Sequence, residues 1–310
     1  MSRLFKILTE SGKASWAVGT RPVGQFINKS AATIPSSFYL LNEEDQNALE
    51  SGNDFMDVMS RLDSPKVDDR QQVSAKAIVP PLPRFGTPCL YAAGLNYKKH
   101  AEEAKLTPAE NPTIIIQAAS CVTGHNSPIR IPKVCPKPEV DYEAELAIVI
   151  GRSCVDVKTP EDALGCIAGF TIANDISARR WQGKKGGGQW GRSKSFDTFT
   201  PLGPCLVPSF AVSQPQNLDI ELSVKRLNEG ALVMQRSNTK DMIHSIGELV
   251  TYISQDTTLK PWTVILTGTP EVNAKDVYCL IINCIIFILP HINGVRASKY
   301  LNLPFSNNRV

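Results

Sequence analysis

The sequence is short of charge imbalance, of paired cysteines and of long apolar runs, and each shortage removes a class of function. Lys and Arg number 33 against 30 Asp and Glu, a net charge of +3. That excess leaves no basic footprint for a nucleic acid or an anionic membrane surface, so the expected partner is a small molecule. Eight cysteines (Cys89, Cys121, Cys135, Cys154, Cys166, Cys205, Cys279, Cys284) are scattered with no C-x-x-C pair. Free thiols in a reducing compartment are expected, not a zinc ribbon or a disulfide scaffold. The longest apolar run, Tyr278 to Leu289, has 12 residues and contains Asn283 and Cys284. A bilayer span takes about 20 residues, so this run reads as a buried or aberrant segment and no membrane role is expected. Met1 to Ala17 carries Arg3, Lys6, Lys13 and Glu10 without a continuous apolar core. A secretory leader is not expected and a weak mitochondrial presequence is compatible, which places the chain in mitochondria or cytoplasm. The G-x-S-x-G, H-E-x-x-H and G-x-G-x-x-G patterns are all missing, which sets aside serine-hydrolase, zincin and dinucleotide readings.

What is present is a 310-residue chain, 42% apolar, long enough to bury a large core. Residues 1–78 read as a small N-terminal module. Its strands are expected near Trp16-Ala-Val-Gly and Phe38-Tyr-Leu-Leu, and its helices over Asn42–Glu50 and Phe55–Leu62. The polar Ser64–Gln72 stretch and the proline-rich Val79-Pro-Pro-Leu-Pro mark its end. Residues 79–310 are strand-rich, with short apolar runs at Cys89–Gly94, Thr113–Ile116, Glu145–Gly151, Gly169–Ala173 and Trp262–Gly268. Leu218–Arg236 resembles a hairpin turning at Asn228-Glu-Gly. Two helices are expected after residue 85, one following Asn96 and one over Met242–Ser254.

In Val140-Asp-Tyr-Glu-Ala-Glu-Leu-Ala-Ile-Val-Ile-Gly, a period of two puts Asp141, Glu143 and Glu145 on one strand face. At roughly 3.3 Å per residue the two glutamates fall about 7 Å apart. Acids on a face that runs into Ala147-Ile-Val-Ile repel one another and lose hydration, so they need open solvent or a cation. A solvated edge strand satisfies this; so does a divalent metal site for Mg²⁺, Mn²⁺ or Ca²⁺. Asp175 closes the apolar Gly169-Phe-Thr-Ile-Ala-Asn and is either a helix N-cap or a third carboxylate for such a site.

On the helix that Asn96 would cap, His100 and Glu103 stand at i and i+3. The carboxylate can orient the imidazole as a general base, although Lys98 and Lys99 pairing with Glu102 and Glu103 would make the same segment an ordinary surface helix. Lys194 lies between small residues before a proline-bounded apolar segment; it could hold a substrate carboxylate, steady a developing enolate or be a solvated loop charge. Lys184-Lys-Gly-Gly-Gly-Gln-Trp reads as a mobile flap. Leu266-Thr-Gly-Thr-Pro can turn backbone N–H groups and the Thr269 hydroxyl toward an oxyanion, or be a simple turn. His125, His244 and His291 read as structural.

Taken in order, Gly94-Leu-Asn-Tyr-Lys-Lys-His-Ala-Glu-Glu, Asp141-Tyr-Glu-Ala-Glu-Leu-Ala-Ile-Val-Ile-Gly, Gly169-Phe-Thr-Ile-Ala-Asn-Asp-Ile-Ser-Ala-Arg, Lys194-Ser-Phe-Asp-Thr-Phe-Thr-Pro-Leu-Gly-Pro and Leu266-Thr-Gly-Thr-Pro resemble the fumarylacetoacetate hydrolase family. Five ordered motifs over about residues 84–270 carry the resemblance, which lies nearest the family's domain-containing protein 2 branch. It implies a mixed β (α+β) fold, with a β-roll or β-sandwich-like catalytic domain, usually paired as a homodimer. It implies Mg²⁺, or Mn²⁺ or Ca²⁺, held by Glu143, Glu145 and Asp175. It makes His100 with Glu103 the dyad that handles water or protons, Lys194 a catalytic cation, and Tyr97, Gln182 and Thr269 substrate contacts. The implied substrates are small 2-oxo and β-dicarbonyl acids. The implied reaction is acylpyruvate-type C–C hydrolysis through a metal-stabilised enolate, or keto–enol tautomerisation or decarboxylation of oxaloacetate.

Two departures qualify the resemblance. Ile116-Gln117-Ala118-Ala119 stands where relatives usually carry a Lys-Phe pair, which weakens one pocket wall. Residues 271–310 share nothing with the family's closing strands. That tail predicts missing core strands, unpaired sheet edges and an unstable, inactive chain.

Overall fold

A computed structural model describes residues 3–19, 38–62, 72–135, 139–225, 230–272, 283–290 and 302–306. It has the mixed α+β architecture that the resemblance implies, and no closed barrel forms among the described residues. Its centre is the strand Ala144–Ile150, buried at every position. Such a run lacks polar alternation because both of its faces are covered. On one side it pairs antiparallel with Ile167–Asn174, which continues to Thr200–Pro208. On the other it pairs antiparallel with Val264–Leu266, which runs parallel to Leu90–Gly94. Thr113–Gln117 adds an antiparallel strand at that end. The ends of these central strands therefore bring Gly94, Glu145, Asn174 and Leu266 to one edge of the sheet.

The leading segment continues the same sheet. Arg3–Thr9 pairs with Ala14–Gly19 and Ala75–Val79, and Leu4 registers with Leu206 of the central sheet. The two expected helices form over Glu43–Ser51 and Phe55–Arg61, the first capped by the Asn42 side chain. Between them and the core, the Trp262 ring stacks on Phe55 at 3.9 Å and on Trp16 at 5.2 Å between centroids. Lys6 is buried, bonded to Glu50 at 2.6 Å and to the Leu82 carbonyl at 2.8 Å.

Several local expectations shift. The helix after Asn96 spans Lys98–Glu103, but Asn96 does not cap it. Its side chain instead accepts from the His244 N–H and donates to the carbonyls of His244 and Thr267. The second helix begins at Ile246, because Ser245 and Glu248 form a capping box there. The Lys184–Gly186 segment is a 3₁₀ turn packed on the preceding helix, where a Cβ on Gly186 would lie 2.3 Å from the Arg180 carbonyl. The hairpin of Leu218–Lys225 with Ala231–Asn238 forms as expected. Its turn residues 226–229, the 63–71 linker and His291 lie outside the described residues.

The expectation that the divergent tail leaves core strands missing is overturned. Asn283–Pro290 pairs along its whole length with Leu218–Lys225, and Asn302–Ser306 pairs with it in turn before meeting Ile129–Arg130. A run of β-branched and aromatic residues can close a sheet edge through its backbone whatever family sequence it lacks. Ile286→Pro removes the ladder donor opposite Leu222, and should cost about 3 kcal/mol or more in denaturant unfolding.

His125 is 8% exposed in the turn before Ile129, and its Nδ1 atom has no partner. Burial lowers its pKa from 6.5 to about 4. The unfolded chain therefore takes up the proton first as the solution is acidified. Stability from this neutral imidazole is complete above about pH 6.5 and should fall toward pH 4, by up to about 3 kcal/mol. His125→Gln should flatten that slope in unfolding measured against pH.

Candidate metal centre

Glu143, Glu145 and Asp175 converge where the central strands end, with one oxygen of each within 4.8 Å of the others and all three side chains buried. The solvated edge strand and the helix cap are thereby excluded as accounts of these acids. Each is held differently. Glu143 Oε2 accepts from Lys194 Nζ at 2.5 Å, and its Oε1 lies 2.7 Å from Arg179 Nη1. Asp175 Oδ2 accepts from Lys194 at 2.6 Å while Oδ1 accepts from the Gln117 amide at 2.8 Å. Glu145 pairs with no cation among the described residues; its Oε2 accepts the Gly268 N–H at 2.6 Å. Gly268 is needed for that approach: its φ is +94°, and a Cβ there would meet Asn96 Cβ at 2.7 Å.

The protonation of these groups follows from their partners. Burial opposes ionisation of Glu143, but Lys194 and Arg179 overcome it and bring the carboxyl down to about 2. Burial and the Asp175 charge push Glu145 well above the usual carboxylate range. Asp175 is raised by burial despite Lys194. Lys194 is held firmly protonated, since Asp175 and Glu143 outweigh its desolvation. Arg179 is also bonded to Asp141, at 2.7 Å. Four carboxylates thus face two cations. Glu145, bonded to neither cation, is the carboxyl that a divalent ion would ionise on binding, and an all-oxygen donor set suits Mg²⁺, Mn²⁺ or Ca²⁺. The residues present fit the group.

A cavity of about 150 Å³ opens over this cluster. Its charged wall is Glu143, Glu145, Asp175, Arg179 and Lys194; His100 and Thr269 stand at its sides, and Leu95, Ile115 and Trp190 give it an apolar face. Leu95 has φ +54°, a strained conformation for a γ-branched residue that recurs where a turn must aim its neighbours.

A model of the fumarylacetoacetate hydrolase C-terminal domain matches residues 89–283. The chain belongs to the fumarylacetoacetate hydrolase family. It is 41% identical over 205 residues to a mitochondrial oxaloacetate tautomerase of Xenopus laevis, covering 66% of this chain and 62% of that one. It is 44% identical over 177 residues to a mitochondrial oxaloacetate tautomerase of Bos taurus, covering 57% and 54%. The matched segments thus span between half and two thirds of these relatives' length. Among solved structures, 2-hydroxyhepta-2,4-diene-1,7-dioate isomerase from Mycobacterium marinum is similar over 98% of both chains, with a TM-score of 0.69 and 28% identity.

Within this family fold the other expected site residues are placed unequally. His100 lines the cavity, its Nδ1 3.5 Å from Glu103 Oε2 and without a hydrogen bond. Glu103 is about half exposed and its Oε2 accepts the Val272 N–H at 3.3 Å. Thr269 lines the cavity and accepts from Gln235 at 2.9 Å. Gln182 sits behind the wall: its oxygen accepts from Arg179 and its amide donates to Ser177. Tyr97 is fully buried, lies off the cavity lining and has an unpartnered hydroxyl. The loop expected to offer backbone N–H groups to an oxyanion spends them otherwise, Gly268 on Glu145 and Thr267 on the Leu146 carbonyl.

Three residues at the site carry no role in the sequence reading. Arg179 is four positions beyond Asp175, and that spacing on a motif already noted was the available signal. Gln117, read only as a weak wall, is 4% exposed and braces Asp175, with Thr200 donating to its oxygen. Gln235 is fully buried in the hairpin.

Glu145→Gln keeps the acceptor for Gly268 but cannot ionise toward a metal. Calorimetric titration should show Mn²⁺ affinity reduced by at least about 100-fold, more than the loss typical of a residue behind the ligands. The metal-free variant should melt about 2–4 °C higher than the unaltered chain near neutral pH, since folding no longer has to bury or protonate a carboxylate that is ionised in the unfolded chain. A lower melting temperature would make Glu145 a structural residue.

Proposed function

We propose that this chain is a divalent-metal-dependent enzyme acting on small 2-oxo acids, interconverting the keto and enol forms of oxaloacetate. The observation that carries this reading is the buried three-carboxylate cage beside a cavity that also holds a protonated lysine and an imidazole. The cavity's small volume suits a compact acid. A bound Mg²⁺ or Mn²⁺, held by Glu143, Glu145 and Asp175, would polarise the 2-oxo carbonyl and so acidify the neighbouring C–H.

The chain's own groups account for the rest. Lys194 sets the positive field around the carbonyl side of the cavity without losing its proton. His100 is the group positioned to take and return a proton at C3, a step that needs an imidazole within reach and no second activated nucleophile. The Thr269 hydroxyl is placed to donate to the enolate oxygen. Trp190, Leu95 and Ile115 restrict water on the opposite face.

Tautomerisation is favoured over hydrolysis by the state of the dyad. Activating water against a second carbonyl calls for a carboxylate bonded to the imidazole, whereas His100 and Glu103 are adjacent without a hydrogen bond. Acylpyruvate-type C–C hydrolysis is the second reading, supported by that adjacency, because such contacts tighten when substrate binds. The names of the two vertebrate relatives support oxaloacetate as substrate and mitochondria as compartment. A homodimer belongs to the same proposal.

Oxaloacetate and an acylpyruvate assayed side by side with Mg²⁺ separate the readings. Enol-to-keto conversion should exceed acylpyruvate cleavage. His100→Ala should abolish any cleavage but leave a measurable tautomerase rate, reduced by about 10²–10⁴-fold. Cleavage as the faster activity, insensitive to Glu103→Gln, would reject the assignment.

A further inference from the structure

Gln235 is a neutral side chain with no exposure that ties together three segments of the site. Its Oε1 accepts the N–H of Ala144, the residue between the two cage glutamates, at 2.9 Å. Its Nε2 donates to the Pro270 carbonyl at 2.7 Å and to Thr269 Oγ1 at 2.9 Å. The two backbone partners leave the amide no choice of orientation. An N–H must face the oxygen and a carbonyl must face the NH₂, so the flipped rotamer would bury two repulsive contacts. The group that meets Thr269 is therefore a donor.

A hydroxyl that accepts through its oxygen still has one proton to give. The Thr269 hydroxyl donates to no other described group, and Thr269 lines the cavity. We propose that Gln235 is a positioning residue that fixes the polarity of the Thr269 hydroxyl, making it a hydrogen-bond donor aimed at the oxygen of the bound 2-oxo acid on which negative charge develops. This rests on the reading of the cavity as a 2-oxo acid site and adds the device that sets its hydrogen-bond polarity. Donation from Gln235 also polarises the O–H, strengthening the bond it can make. A free hydroxyl would have to be reoriented from random rotamers as charge develops; a preset one would not. The loop around Thr269 then has a divided labour, with Gly268 holding the cage and Thr269 serving the substrate.

Oxalate is a planar dianion that mimics the enolate of a 2-oxo acid, and its binding can be measured by calorimetry on the Mn²⁺-loaded full chain without turnover. Thr269→Val should weaken oxalate by about 10–100-fold, the loss of one hydrogen bond to a charged group, and Thr269→Ser should restore it to within about 2-fold. Gln235→Met should weaken oxalate by about 3–10-fold, the loss of a neutral bond, yet cost nothing further in the Thr269→Val background. Mn²⁺ affinity should stay within about 3-fold throughout, since that substitution removes no ligand. Should Gln235→Met fail to fold, Gln235→Glu keeps the shape and the acceptor toward Ala144 and is read through the same cycle. Equal losses in both backgrounds, or no loss beside an intact Thr269, would overturn the proposal and leave the site reading standing. An unaltered chain that binds neither Mn²⁺ nor oxalate would overturn the site reading itself.

Discussion

Glu145 is a buried carboxylate within reach of two others, with a single backbone N–H for company. Left alone, that arrangement is among the least favourable a protein core can contain, because burial removes hydration and the neighbours supply repulsion. Much of the surrounding architecture can be understood as the means of holding it. Lys194 bridges the other two acids, Arg179 clasps Glu143 with Asp141, and Gln117 occupies the remaining oxygen of Asp175. Lys194 and Arg179 each hold two acids and Gln117 one, and none of the three bonds Glu145. The positive charge still missing is an amount a divalent ion would supply, and its absence from the side chains keeps the cage from collapsing into a purely internal ion-pair cluster.

That constraint explains why the ends of the central strands are so heavily tied. Asn174 accepts from the Glu143 N–H, Gln235 from the Ala144 N–H, and Asn96 locks the His244 backbone to the Thr267 carbonyl. Repelling carboxylates would otherwise spread by shifting backbone. Neutral amides suit this task, since they fix position without altering the charge that the cage must keep.

The central strands and the three acids were legible because both rest on period and spacing. Ala144–Ile150 reads as a buried run; spacing alone leaves the two glutamates running into it as a solvated edge or a metal site, and the family resemblance decides for the metal. The bracing amides were not legible, for identifiable reasons. Gln235 pairs with Leu222, and the next pair is Ser223 with Val233, so Met234 is an extra residue in its strand; Met234 and Gln235 are both buried and the alternation that would mark an inward position is lost. Gln117 ends the apolar run Thr113–Ile116, where polarity points the wrong way: Ile116 is 64% exposed while the glutamine beside it is buried. Asn96 was misread because a residue fit to cap a helix is equally fit to bridge two loops, and only tertiary neighbours decide between those uses.

The tail shows the converse limit. The family model matches through residue 283, further than the departure expected from residue 271, and beyond that match Asn283–Pro290 still fills the slot beside Leu218–Lys225. Family likeness is carried by side chains that do chemistry, whereas a strand is admitted to a sheet by its backbone donors and acceptors together with apolar bulk of roughly the right size. The partner strand feeds the hairpin that contains Gln235, which reaches Ala144 and Thr269. A segment with no chemistry of its own is thereby coupled to the geometry of the cage. Loss of the tail strand should then be felt at the site through Gln235 before it is felt by the glutamates, whose positions are also secured by Asn174 and Gly268.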